Sequence, residues 1–193
     1  MRYVIWIILL LLPSLSFGYT PPAENLLGRM GTSWEKVKPI HLNAVLQTPE
    51  GKLIETIQVT VPHRVEQETL RRRDALKTGY LPFAYLTSSS DILKQLLPSL
   101  YRNDTKVRLA RIGDVICFVL EGSATRLWLR KDDLYPLRSE VLMDDGVWVV
   151  CRYIDPVQVS SKIAYPDMTQ VLREGEPILV ERLLGQQSDS PSQ

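Results

Sequence analysis

The chain is poor in the residues that carry most protein chemistry. It has 2 histidines and 2 cysteines among 193 residues. His41 and His63 flank a hairpin and can lie near each other, but two histidines with no nearby cysteine make a poor metal site. Surface or capping roles suit them better. A Gly-rich phosphate loop is missing, and so is a nucleophile elbow, which leaves nucleotide and acyl-transfer chemistry without their usual residues. No internal repeat is present. Charge of one sign is also lacking. There are 23 basic and 22 acidic residues, and removing Arg2 with residues 1–18 leaves 22 against 22. Nucleic acid and anionic membranes both need a positive field, so neither is expected to be held by charge. The triplet Arg71, Arg72, Arg73 reads as a solvated loop or strand end. Asp132-Asp133, Asp144-Asp145 and the pair Glu174 and Glu176 fall in turns, where polar residues are preferred for their geometry. No catalytic residue, metal or cofactor is assigned, and the chain reads as a non-enzyme.

A long hydrophobic run is absent too. The stretch Val4 to Leu12 is 9 residues, well short of the roughly 20 that cross a bilayer. Arg2 precedes it, Pro13 ends it, and Ser16 and Gly18 place small residues where a signal peptidase reads. Residues 1–18 are therefore expected to be a signal peptide cleaved after Gly18, exporting a soluble chain to the periplasm. No cysteine lies near the cleavage point, so no lipoprotein attachment point is seen. About 175 residues remain, which suits one domain with a sizeable core. That domain is set at 19–185, followed by a polar, disordered tail at 186–193.

What the chain does have is alternation. Leu42, Ala44 and Leu46 share one side of a strand over His41 to Thr48. After Pro49-Glu50-Gly51, Leu53 to Val61 alternates again, which reads as a β-hairpin. Pro62 interrupts, and Arg64 to Leu70 looks like a third strand. Strands resume at Lys106 to Ile112, turn at Gly113-Asp114, and continue as Val115 to Glu121, apolar on both faces and so covered on both. Thr125 to Arg130 places Arg126, Trp128 and Arg130 outward and Leu127 and Leu129 inward. Leu137 to Met143 pairs back, Asp145-Gly146 is a hairpin signal, and Val147 to Ile154 is again apolar on both faces. The faces of Trp148 are equally apolar and leave its side open. Met168 to Arg173 and Ile178 to Leu184 form a last hairpin around Glu174-Gly175-Glu176.

Two places read as helix. One turn is expected near Glu24 to Met30. Ser88-Ser89-Ser90 precede Asp91, Ile92, Leu93, Leu96 and Leu97, which is an N-cap signal before an apolar stripe; Pro98 should end this helix near Leu97. The expected fold class is mainly β (α+β). It is a curved antiparallel half-barrel of about ten strands in up-and-down order, with one or two covering helices.

The order of four segments resembles the LolA-like superfamily of outer-membrane lipoprotein carriers. They are Gly51 to Arg64 with its Pro62-His63-Arg64; Leu127-Trp128-Leu129 through Pro136-Leu137-Arg138; Val149 to Ile154 ending before Asp155; and Ala164-Tyr165-Pro166 followed by the Glu174-Gly175 turn. The resemblance covers about residues 40–184. It implies a curved sheet with helices over its concave face, and a role in carrying acyl chains or sensing envelope stress. Arg64 matches a strand arginine that in carriers helps to hold the lid helices closed, so the resemblance implies a lid-latch role for it. The chain departs from the carriers in having little room for a long N-terminal helix, which leaves Gly79 to Tyr101 as the main helical cover.

A short helix cannot dry a whole concave sheet. Either side chains fill the space or a groove lies open to an apolar ligand, and Leu93, Leu96, Phe118 and Leu127 are the candidate lining. The expected partner is an acyl chain or a lipoprotein, with peripheral membrane contact. The alternative is a protein-binding envelope-assembly or stress-sensing module, with an envelope protein as partner. Cys117 and Cys151 are expected to stay free thiols, because two strands separate them.

Overall fold

The structure is a computed structural model, and it describes residues 20–62, 79–161 and 163–186. Nine strands among these residues form one curved open sheet. They are β1 (Ile40–Gln47), β2 (Leu53–Val61), β3 (Lys106–Ile112), β4 (Val115–Glu121), β5 (Thr125–Arg130), β6 (Pro136–Leu142), β7 (Trp148–Ser160), β8 (Ile163–Arg173) and β9 (Glu176–Gln186). The order across the sheet is β2-β1-β9-β8-β7-β6-β5-β4-β3, and every neighbouring pair is antiparallel.

From β3 to β9 the chain is the expected up-and-down meander. The first hairpin breaks that order: β1 pairs with β9 and β2 forms an edge. The strand expected at Arg64 to Leu70 lies outside the described residues, so nine strands stand where about ten were anticipated. Turn chemistry fixes the junctions. Gly113, at φ +57°, makes a two-residue turn between the paired Ile112 and Val115. The turn at Asp144-Asp145-Gly146 is one residue longer than the two-residue signal implied. The Met143 amide bonds to the Val147 carbonyl, and Gly146 closes the loop at φ +80°, the left-handed position that three-residue hairpin loops require. The strand expected over Val147 to Ile154 runs on through Pro156 to Ser160 as β7.

The helices form the cover. Helix α1 (Ala23–Glu35) is 13 residues long, not the single turn expected, and the chain does have room for an N-terminal helix. Its buried residues are Ala23, Leu26, Leu27, Met30 and Gly31, the first four at i, i+3, i+4 and i+7, the spacing of one helical face. Packing of that face, not capping, holds the helix: Pro22 precedes it with no side-chain cap, and its carbonyl accepts from the Asn25 and Leu26 amides. A short helix α2 (Phe83–Leu86) leads to α3 (Ser90–Leu96). Ser89 takes the cap position of α3 in extended conformation without a side-chain cap bond, and Pro98 follows the helix as expected, opening a 3-10 turn over Pro98–Tyr101.

The main core lies between this cover and one face of the sheet. It joins Leu26, Leu27, Met30, Leu93 and Leu96 of the helices to strand residues including Leu42, Val59, Phe118, Leu120, Leu127, Leu129, Val149 and Val171. Burial of a leucine-sized side chain contributes about 1.5–3 kcal/mol, so this single layer holds the cover on the sheet. Trp128 points the other way, into a small outer cluster with Cys117 and Val119. The outward reading of Trp128 and the inward reading of Leu127 and Leu129 both hold. The same parity resolves Trp148. Val149, Cys151 and Tyr153 are buried against the cover, and Trp148 lies on the outer face.

Candidate functional site

The covered face has two halves of different chemistry. Over β3 to β5 it is apolar. Leu93 and Leu96 from α3, and Phe118 and Leu127 from β4 and β5, belong to one cluster and are 0–8% exposed. The four residues proposed from sequence are thus brought into one core, and side chains occupy the space between sheet and cover. α1 packs on α3 and on the 3-10 turn, and that turn touches β5. Arg64, the expected latch, lies outside the described residues.

Over β6 to β9 the apolar face also carries buried hydrogen bonds that staple the cover to it. Residues Gly79 to Phe83 run across it toward α2. Glu181 of β9 is 1% exposed and accepts hydrogen bonds from the Tyr80 and Tyr165 hydroxyls, the second at 2.7 Å. Tyr153 donates to the Leu81 carbonyl at 2.8 Å and lies 2.8 Å from the Ser139 hydroxyl. Because a phenol has one proton, Ser139 is the donor of that second bond. The Leu81 amide points at the Cys151 sulfur at 3.4 Å, and the Cys151 thiol faces the Gly79 carbonyl at 3.8 Å. Phe83 then inserts among Tyr135, Tyr153 and Tyr165, with ring centroids 5.0, 5.3 and 5.2 Å away, the range of favourable aromatic contacts.

Burial sets the titration of these groups. Loss of water pushes the Glu181 carboxyl above its ordinary range, and the two tyrosine hydroxyls pull it partly back. Burial likewise pushes Cys151 up to about 11, which keeps it a neutral thiol rather than a nucleophilic thiolate. Tyr80, Tyr153 and Tyr165 are all raised by burial. The arrangement fastens one end of the cover.

The outer face carries a separate ladder. Glu140, 5% exposed, accepts from Arg126 at 3.1 Å and from Arg138. Arg126 stacks over Trp148 at 4.2 Å and Arg138 over Trp128 at 4.9 Å. The turn carboxylates also have structural partners: Asp133 holds Arg130, and Asp145 holds Arg173. His41 meets Thr60 across β1 and β2 at 3.1 Å. Among the described residues no three His, Cys, Asp or Glu side chains gather as a metal site, and no helix is long and apolar enough to cross a membrane.

Sequence reading missed the Glu181 staple and the Glu140 ladder. Alternation did carry the signal for the first: Leu179, Glu181 and Leu183 share the face that packs on the core, and a lone acid between two such leucines is a buried acid.

No family model matches the sequence, and no curated protein matches it significantly. Solved structures match in fold. A DUF1329 family protein from Desulfovibrio piger superposes with a TM-score of 0.52 at 13% identity, over 90% of this chain and 96% of that one. A domain from Vibrio parahaemolyticus assigned to outer membrane lipoprotein sorting gives 0.50 at 10% identity, over 88% and 93%. A LolA superfamily protein from Nitrosomonas europaea gives 0.49 at 10% identity, over 87% and 94%. At these identities the likeness is one of fold. The chain carries a curved antiparallel half-barrel with a helical cover, similar in fold to the Desulfovibrio piger and Vibrio parahaemolyticus structures.

Proposed function

We propose that this chain is an exported, carrier-like protein of the periplasm that holds an acyl chain of a lipid or lipoprotein between the sheet and its helical cover. It performs no catalysis. The observation that carries this reading is the apolar half of the covered face. There Leu93 and Leu96 share one buried core with Phe118 and Leu127. An acyl chain that took the place of these contacts would gain about 0.8 kcal/mol per buried methylene, so lifting the cover there is offset by the ligand. The fold shared with a lipoprotein-sorting domain supports the reading. So does the order of segments 1–18, which read as an export signal.

A fluorescent fatty-acid probe tests it. Micromolar binding that weakens in Leu96→Gln, with the circular dichroism of the wild type retained, is the expected result. Absence of probe binding to the wild-type protein would overturn the carrier reading.

The second reading, a protein-binding envelope module, is favoured by the outer ladder. Trp128, Trp148, Arg126 and Arg138 are the residue types that interfaces favour, gathered on one face. A folded protein that carries no lipid and loses its partner in Arg126→Glu would establish it.

A further inference from the structure

We infer that the acyl chain enters at the β3–β4 end of the covered face and that its exposed end is an anion. This rests on the acyl-binding reading above and specifies the class of ligand.

The route follows from strand parity. On β4, Leu120, Phe118 and Ile116 share the covered face, opposite Val107, Leu109 and Arg111 of β3. Exposure climbs along this row, from 0% at Leu120 through 8% at Phe118 to 40% at Ile116, with Leu109 at 48%. The cover therefore stops between Phe118 and Ile116, and an unbroken apolar track leads from the core to solvent. The opposite half offers no such track. A chain entering over β6 to β9 would have to break the Tyr80–Glu181 and Tyr153–Leu81 bonds and leave the buried Glu181 carboxyl with the Tyr165 hydroxyl alone, which costs more than parting apolar surfaces.

Two cations stand at the outer end of the track. Arg111 pairs across the strands with Ile116, and the Lys131 amide bonds to the Ile116 carbonyl at 3.0 Å. Neither makes an ion pair among the described residues. Of the nearby acids, Asp133 is held by Arg130, while Asp114 and Asp132 sit in the flanking turns. A chain seated on Phe118 and Ile116 would bring its end group between the two cations. The fitting ligand is an acyl chain that ends in an anion, as a fatty-acid carboxylate or as a phosphate close to the chain.

The test compares a fluorescent polyene fatty acid with its methyl ester on the wild-type protein and on Arg111→Glu/Lys131→Glu. Both positions are exposed, so the variant should fold, and a melting curve checks that it does. The acid should bind the wild type roughly three- to tenfold more tightly than the ester, the size expected of two partly screened charges. The double variant should remove that preference while leaving ester binding unchanged. Displacement by palmitate or by lysophosphatidate then tells the carboxylate from the phosphate source. Equal binding of acid and ester, unaltered in the variant, overturns this inference and leaves the acyl-binding reading standing. Binding of neither overturns both.

Discussion

Gly31 of α1 lies so close to Ser90 at the start of α3 that a Cβ there would stand 2.5 Å from the Ser90 nitrogen and 2.8 Å from its Cα. The contact is with backbone, which cannot swing away. Two helices of the cover are thus joined at a point where only glycine fits. Gly28, one turn earlier, has nothing within 4 Å of its Cβ position.

The two glycines give opposite outcomes for one substitution. Alanine is favoured over glycine within a helix by about 1 kcal/mol. At Gly28 that gain is unopposed, so Gly28→Ala should stabilise the protein by about 0.5–1 kcal/mol. At Gly31 the clash should win, since overpacking costs about 1–3 kcal/mol, and Gly31→Ala should destabilise. Urea midpoints of both variants decide this; a stabilised Gly31→Ala would mean the helices do not touch there.

Glu140 should be the anchor of the outer ladder. Glu140→Gln keeps the shape and removes the charge that Arg126 and Arg138 share. Both arginine side chains are about a third exposed, at 39% and 32%, so water recovers part of the loss. The expected cost is about 1–2 kcal/mol, read from chemical denaturation. A neutral effect would show that the stacking on Trp128 and Trp148 carries the ladder by itself.

Glu181 makes stability depend on pH. Its folded pKa lies above the ordinary 4.5 because of burial. The folded state therefore holds a proton that the unfolded chain releases. Its contribution is complete below the ordinary value and is lost as pH rises through the folded one. Unfolding free energies between pH 4 and 8 should show the wild type falling relative to Glu181→Gln as pH rises. A wild type that gains on the variant over that window would contradict the raised pKa.

Cys117 and Cys151 should both react with a thiol reagent in unfolded, unreduced protein. They sit on β4 and β7 with β5 and β6 between them, about 14 Å apart at roughly 4.8 Å per strand step. They also belong to clusters on opposite faces of the sheet, whereas a disulfide needs Cα atoms within about 7 Å. A count of zero would refute the strand order.

The meander from β3 to β9 was legible because its signals are local: alternation in Leu127, Trp128 and Leu129, and glycines in the turns at Gly113 and Gly175. Helix α1 was not. Its sequence opens after two prolines without a capping side chain and holds Gly28 and Gly31, which read as loop. Only the docking of Leu26, Leu27 and Met30 on the core makes it a helix. The pairing of β1 with β9 was equally hidden, since it joins strands at opposite ends of the chain and leaves no local mark. Of the candidate site, Leu93, Leu96, Phe118 and Leu127 were found from periodicity and do share one core. The staple from Tyr80, Tyr165 and Glu181 needs three distant segments to meet, and alternation at Glu181 gave only its face.

Photocrosslinking tests the central claim most directly. A fatty acid with a diazirine near its methyl end would be bound to the protein, irradiated, and the labelled peptides identified by mass spectrometry. The label should appear on residues of Ser90–Leu96, Val115–Glu121 and Thr125–Arg130, the apolar half of the covered face. Labelling confined to the outer face around Trp128 and Trp148, or none at all, would contradict the account.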